Sequence, residues 1–279
     1  MTIDKYRAFA ALHEPGRPVI LYNAWDAGSA RAVARAGAKA IATGSWSVAA
    51  AQGYDDGEAL PIEIALANAT RIVGAVALPV TIDFEGGYAD EPTTLAENVA
   101  SLARVGAIGC NLEDRIVGGE GLHSIDVQAE RVAAARRGAG EHFFINARTD
   151  IFLETSPDTH DDAKLDEAIE RAAAYAKAGA SGFFVPGLVD LALLERLCGT
   201  VTLPVNFMAF PGAPGTRDVA GVGIARVSYG PNPFRAAMAA LTAEAQAAFA
   251  WDSPPAMPTR PAPLPRRGAR TRTRPLQTV

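Results

Sequence analysis

Asp83 and Glu85 stand two residues apart in 78-LPVTIDFE, and Glu113 falls near the end of 107-AIGCNLED. Surface turns are polar as a rule, but they do not account for carboxylates set inside runs this apolar. Residues two apart share one face of a strand. Facing a barrel axis, Asp83 and Glu85 would be buried like charges, which is costly unless a cation lies between them. Glu113 would end the adjacent strand and could face the same point. Oxygen donors with no His or Cys among them suit a hard ion, Mg²⁺ or Mn²⁺, with some contacts made through water. The alternative is that these acids form ion pairs with Lys39, Arg115 or Arg148.

Other chemistry-bearing residues fall at comparable places. Arg148 closes 145-INARTD, where a guanidinium can fork onto a carboxylate or stabilise an enolate. It could equally be a structural partner of Glu113 or Asp150. Gly44 and Ser45, with Trp46 beside them, offer backbone N–H groups on which a substrate carboxylate could dock. The stretch 115-RIVGGEGLHS reads as a mobile loop beside the metal, with Glu120 and His123 as proton carriers, or as a solvated loop with no chemistry. By reach, Tyr22, Glu113 and His123 are the acid–base candidates.

The elements that must position these residues are short apolar runs alternating with helical patterns. The runs are 18-PVILYNA, 40-AIATGS, 78-LPVTIDFE, 107-AIGCNLED, 142-HFFINAR, 182-GFFVPG, 203-LPVNFM and 225-ARVSYG. Continuous runs of this kind read as strands buried on both faces of a parallel sheet. Between them, Asp26 can cap a helix ending at Gly37, and Thr94 and Glu97 have capping-box spacing. Leu165, Ala168, Ile169, Ala172 and Ala176 make one apolar helical face. The Gly-rich stretch 213–224 carries the weakest helical pattern. Eight strands alternating with about eight helices give an α/β protein, a (β/α)₈ TIM barrel, whose site lies at the C-terminal ends of the strands. The other arrangement, an open nucleotide-binding sheet, needs GxGxxG after the first strand, and 23-NAWDAGSA does not provide it.

Residues 1–252 read as one barrel domain. Residues 253–279 read as a disordered tail with seven prolines, six arginines and no acid. A basic interaction arm is the alternative reading of that tail. The remaining 252 residues carry 20 basic and 31 acidic side chains, a balance that argues against nucleic-acid binding. Cys110 and Cys198 have no metal spacing and read as reduced thiols. With no signal-peptide pattern and no apolar run near the roughly 20 residues a bilayer requires, a cytoplasmic protein with no membrane partner is expected.

Taken together, NAWDAGSA, ATGSWS followed by GYDDGE, TIDFEGGYAD, CNLEDR, INARTD and PVNFMA resemble the isocitrate lyase/phosphoenolpyruvate mutase superfamily, in order and spacing, from about Arg17 to Phe234. The resemblance implies a (β/α)₈ barrel, a homo-oligomer (usually a tetramer), Mg²⁺, and a small carboxylic acid as substrate. It implies Asp83 as direct metal ligand, with Glu85, Glu113 and Asp56 near the ion. Gly44 and Ser45 match the substrate-carboxylate site, Arg148 the enolate-stabilising arginine, and Asn206 a polar pocket residue. The expected activity is a carbon–carbon lyase releasing pyruvate, like 2-methylisocitrate lyase or oxaloacetate decarboxylase. The alternatives are phosphorus–carbon chemistry, as in the mutase or phosphonopyruvate hydrolase, and an inactive metabolite-binding barrel. Isocitrate and methylisocitrate lyases carry a KKCGH loop, and RIVGGEGLHS has no cysteine, which argues against ordinary isocitrate lyase activity. The mutases' Lys- and Asn-bearing loop, and their histidine near Pro186, are not found here. Many members exchange a last helix between subunits, and only one helix, 233 to 250, follows the last strand.

Overall fold

The computed structural model describes residues 2–250; the Pro/Arg-rich tail lies outside the described residues. The strands are β1 (Val19–Leu21), β2 (Ile41–Ala42), β3 (Val80–Asp83), β4 (Gly109–Glu113), β5 (Phe144–Arg148), β6 (Gly182–Phe184), β7 (Val205–Met208) and β8 (Arg226–Ser228). All eight apolar runs therefore contain a strand. The strands lie parallel in the order β1-β8-β7-β6-β5-β4-β3-β2. A parallel bridge between Ala24 and Thr43 brings the two ends of that order together, with the Ala24 N–H donating to Ala42 O at 2.8 Å. The expected barrel is what forms.

Helices α1 (Thr2–Ala10), α2 (Ala27–Arg35), α3 (Ser45–Gln52), α4 (Ile62–Ala75), α5 (Pro92–Arg104), α6 (Ile125–Ala139), α7 (Asp162–Lys177), α8 (Leu191–Thr200), α9 (Thr216–Gly221) and α10 (Asn232–Phe249) complete the fold. Asp26 caps α2 as its spacing predicts, accepting from the Ser29 N–H at 2.7 Å. The start of α5 corrects the Thr94/Glu97 expectation. Glu91 is the cap and accepts from the Thr94 N–H at 2.9 Å. Pro92, with its fixed φ and no N–H to satisfy, starts the helix earlier. In the Gly-rich stretch 213–224, only Thr216–Gly221 is helical. The barrel and its shell form a compact unit to Ala237; from Met238, α10 belongs to a second unit, within which the Thr242 hydroxyl donates to Met238 O at 2.9 Å. Among the described residues no helix is long and apolar enough to cross a membrane.

Alternation along the strands divides the barrel interior into layers. At the base, Val19, Ala40 and Phe144 pack with Phe9 of α1, whose ring meets Phe144 edge-on at 5.2 Å. The next layer is polar and buried: Thr81, Asn111, Asn146, Asn206 and Arg226. Above it, at the C-terminal strand ends, come Asp83, Glu113, Arg148, Phe184, Met208 and Ser228. The residues between these, such as Leu112, Ile145, Phe183, Phe207 and Val227, face outward into the main apolar core under the helices.

Asn23 holds the closure. Its Nδ2 donates to Thr43 O at 2.7 Å and its Oδ1 accepts from the Tyr229 N–H at 2.8 Å, tying the ends of β1, β2 and β8 together. Asn23→Ala leaves two backbone groups without these partners and is expected to cost about 2 kcal/mol. Urea unfolding reads this directly, and an unchanged midpoint would contradict the assigned role.

Candidate active site

Asp83 ends β3 with both carboxylate oxygens held. The Ser45 N–H, at the start of α3, donates to Oδ2 at 3.0 Å, and Asn111 Nδ2 donates to Oδ1 at 3.2 Å. The positive end of α3 thus faces a carboxylate. The Ser45 N–H that sequence reading offers to a substrate is engaged by Asp83 instead. Asp56 lies in the loop after α3, beside Asp83 and the Ser45 side chain.

Glu85 follows β3 in a left-handed turn. Its Oε2 accepts from the Glu58 N–H at 2.6 Å, and Glu58 Oε1 accepts from the Tyr88 N–H at 2.7 Å. Glu58, Glu85 and Tyr88 are the non-glycine residues of positive φ among those described, at 59°, 51° and 59°. All three are joined by these two bonds. Left-handed backbone at such residues costs roughly 1–3 kcal/mol each and gathers at functional sites. Glu58 was not singled out as a site residue from the sequence. The signal available was its place in 54-YDDGE, beside Asp56.

On β4 and β5, Glu113 Oε2 lies 3.0 Å from Arg148 Nη1. Arg148 also forks onto Asp150, through Nε at 2.5 Å and Nη2 at 2.8 Å, with the Phe184 ring 5.9 Å from its Cζ. Asp150 is fixed in turn, its N–H donating to Asp114 Oδ1 at 3.0 Å. Fully buried Asp114 also accepts from Arg171 at 3.0 Å and from the Tyr175 hydroxyl at 2.9 Å. Both pairings of Arg148 weighed from the sequence therefore occur. Arg115 pairs with Glu154 at 3.1 Å.

Burial, reinforced by neighbouring charge, sets the protonation of this ring. Burial, and then neighbouring Asp56, push the Glu85 carboxyl up to about 7. Burial, and then Asp83, raise Asp56. Burial raises Glu113 against the pull of Arg148, with Asp150, Asp83 and Glu85 adding to the rise. Arg148 is held firmly protonated, because Glu113 and Asp150 outweigh its burial. An all-oxygen donor set that resists its own ionisation fits a hard divalent cation. No three-ligand cage is preassembled, however. Among the described residues, no group of three or more His, Cys, Asp or Glu is placed to hold one ion. Glu113 is turned to Arg148, Glu85 to the Glu58 N–H, and Asp83 to Ser45 and Asn111.

The remaining predicted residues scatter around this ring. The Trp46 ring lies 4.7 Å from the Arg235 guanidinium and meets Phe234 edge-on at 5.9 Å. Tyr22 packs on Tyr229 at 5.1 Å and lines an apolar cavity of about 1040 Å³, with Phe152, Met208 and Phe210. Asn206 is fully buried and joined to Asn146 at 3.1 Å within the barrel. The His123 ring turns to Asp90, 3.8 Å away, and burial, then Arg131, lower its pKa. Its loop is a tight turn, pinned where Arg115 bridges Leu122.

A family model described as phosphoenolpyruvate phosphomutase matches residues 9–249. An uncharacterized protein of Mycobacterium tuberculosis (strain ATCC 25618 / H37Rv) is 36% identical over 243 residues, covering 86% of this chain and 88% of its own. The 2-methylisocitrate lyase of Escherichia coli (strain K12) is 27% identical over 249 residues, 81% of each chain. A solved structure from Burkholderia cenocepacia J2315, provisionally assigned as a phosphonomutase, is 47% identical with a TM-score of 0.87, covering 89% of this chain and 100% of that one.

Glu85 gives the metal-free protein a defined pH response. Its folded pKa is about 7 against an ordinary 4.5, so the folded state keeps a proton that the unfolded chain releases. The contribution is fully present below about pH 4.5 and is lost as pH rises to about 7, at up to about 1.4 kcal/mol per pH unit. Urea unfolding in a chelator at pH 4.5 to 7.5 should show stability falling, and less steeply in Glu85→Gln. An equal slope in the variant would refute the assignment.

Proposed function

Because the chain belongs to the phosphoenolpyruvate phosphomutase family, within the isocitrate lyase/phosphoenolpyruvate mutase superfamily, we propose that it is a Mg²⁺-dependent carbon–carbon lyase. Its substrate is a small 2-hydroxy or 2-oxo di- or tricarboxylate, cleaved through an enolate with pyruvate as product. The observation that carries this reading is Arg148, held rigid by Asp150 and set against Glu113 at the same strand ends as Asp83. The 2-methylisocitrate lyase relative, matched over 81% of both chains, supports it.

Nε and one N–H of Nη2 of Arg148 are taken by Asp150, and Nη1 is ion-paired with Glu113. The other N–H of Nη2, and Nη1, can meet a substrate oxygen. In a retro-aldol cleavage the 2-hydroxyl proton passes to a base, the C2–C3 electron pair leaves on C3 as the enolate of the departing carboxylic acid, C3 then takes up a proton, and a 2-oxo acid forms from C2. A fixed guanidinium stabilises the oxygen and enolate charge that develops, at no reorganisation cost. Glu113, raised by burial and beside Arg148, is placed to carry the proton. Mg²⁺ or Mn²⁺ held by Asp83, with Asp56, Glu85 and Glu113, would supply Lewis-acid stabilisation of the same charge. Assembly as a homotetramer belongs to this proposal and is checked by light scattering.

A second reading is favoured by one observation, the provisional phosphonomutase assignment at 47% identity. Oxaloacetate, 2-methylisocitrate, 2,3-dimethylmalate and phosphonopyruvate, each supplied with Mg²⁺ and assayed for pyruvate and phosphoenolpyruvate, separate the two. Pyruvate from the first three supports the lyase. Phosphoenolpyruvate, or pyruvate with phosphate, from phosphonopyruvate alone supports phosphorus–carbon chemistry, and no product from any overturns both. On the productive substrate, Arg148→Gln should lower kcat by roughly 10²–10³, and Asp83→Ala should abolish Mg²⁺-dependent turnover. Full activity in Asp83→Ala would end the metal assignment.

A further inference from the structure

The polar layer inside the barrel has a direction built into it. Asn111 lies at its centre and is 5% exposed. Its Oδ1 accepts from Asn146 Nδ2 at 2.9 Å and from Arg226 Nη2 at 3.1 Å, while its Nδ2 donates to Asp83 Oδ1 at 3.2 Å. A side-chain amide can turn over and exchange its ends, so what matters is which neighbours cannot.

Two cannot. Arg226 is 1% exposed and a guanidinium only donates. Among the described residues its bond to Asn111 is its side chain's one hydrogen bond, Nε and Nη1 having no partner there. At the far end, Asn206 Nδ2 donates to Phe207 O at 2.8 Å, a backbone carbonyl that only accepts. That turns Asn206 Oδ1 towards Asn146, whose Nδ2 reaches it at 3.1 Å and reaches Asn111 through the same nitrogen. Both anchors require the Asn111 oxygen to face the layer and its Nδ2 to face Asp83. With the Ser45 N–H on Oδ2, each oxygen of Asp83 meets a fixed donor. Such a layer fixes the plane of the carboxylate before any cation arrives.

We propose that Asn111 is a positioning residue for Asp83, its amide locked in one direction by Arg226 on one side and, through Asn206 and Asn146, by the Phe207 carbonyl on the other. The role in metal binding rests on the reading of Asp83 as a metal ligand, whereas the lock itself does not.

The test uses the intact protein in two measurements. The Asn111 side-chain amide resonances, assigned by their loss in Asn111→Leu, are followed by ¹⁵N NMR without metal, and Mg²⁺ alone is titrated by calorimetry. Arg226→Met and Asn206→Leu should each leave the Asn111 amide shifted and slowly exchanging, since one anchor remains. The double variant should lose that signature, which a merely space-filling layer would not do. Asn111→Leu and the double variant should bind Mg²⁺ about tenfold more weakly, as for lost support of a ligating side chain. A double variant that keeps the signature overturns the lock. Should the double variant not fold, Asn111→Leu decides, and wild-type Mg²⁺ affinity in it overturns the positioning role. Wild-type protein that takes up no Mg²⁺ refutes the metal reading of Asp83, while the amide pattern still decides the lock.

Discussion

Carboxylates gathered at the strand ends govern this structure. Asp83 raises the cost of ionising Asp56, Glu85 and Glu113, and Asp56 that of Glu85, beyond what burial already imposes. Each is restrained by something fixed. Asp83 has two donors, Glu85 a backbone N–H, and Glu113 a guanidinium that is itself forked onto Asp150. The barrel supplies these restraints because strand ends converge there, while the apolar faces of the same strands pack outward beneath the helices. The fold therefore carries a site poor in stability of its own but well ordered, which is how binding energy can be reserved for a charged ligand.

Local backbone strain follows the same logic. The left-handed residues Glu58, Glu85 and Tyr88 occupy one hydrogen-bonded cluster at the edge of the acid ring. Arg131 supports the turn from below, its Nη1 and Nη2 donating to Ala89 O and Gly86 O at 2.8 and 2.5 Å. A buried arginine is thus spent on holding three backbone carbonyls of one turn, Asp90 O at 3.0 Å being the third. Strain of this kind persists only where surroundings over-determine it, and here they do.

Much of this was legible in the residues. The eight strands could be read because each lies in a short, mostly apolar run, and Asp83, Glu85 and Glu113 because a carboxylate is conspicuous in such a run. Arg148 was legible for the same reason. The family signature added Asp56. Glu58 was harder, since its importance lies in backbone geometry that no periodicity reveals. Of the interior polar layer only Asn206 is named from the sequence, as a pocket residue, although the whole layer carried a signal. Thr81, Asn111, Asn146, Asn206 and Arg226 each precede the last strand residue by two, in 81-TID, 111-NLE, 146-NAR, 206-NFM and 226-RVS. Period two places them one layer below the site, pointing the same way. The start of α5 was misplaced because Thr94 and Glu97 match a capping pattern that Pro92 pre-empts.

The closure at Asn23 bears on how the chain comes together. β1 is made first, yet its ladder partner is β8, more than 200 residues later. Until then its backbone edge is unclosed, and Asn23 lacks the Tyr229 N–H it accepts from in the finished barrel. Packing of α1 against the barrel base, Phe9 on Phe144, requires β5 as well. The earliest-synthesised segment is therefore the last to be secured, which sets a high contact order and a slow final step. An exposed early strand edge is also an invitation to mispairing between nascent chains, so the seam links the speed of ring completion to the yield of native protein.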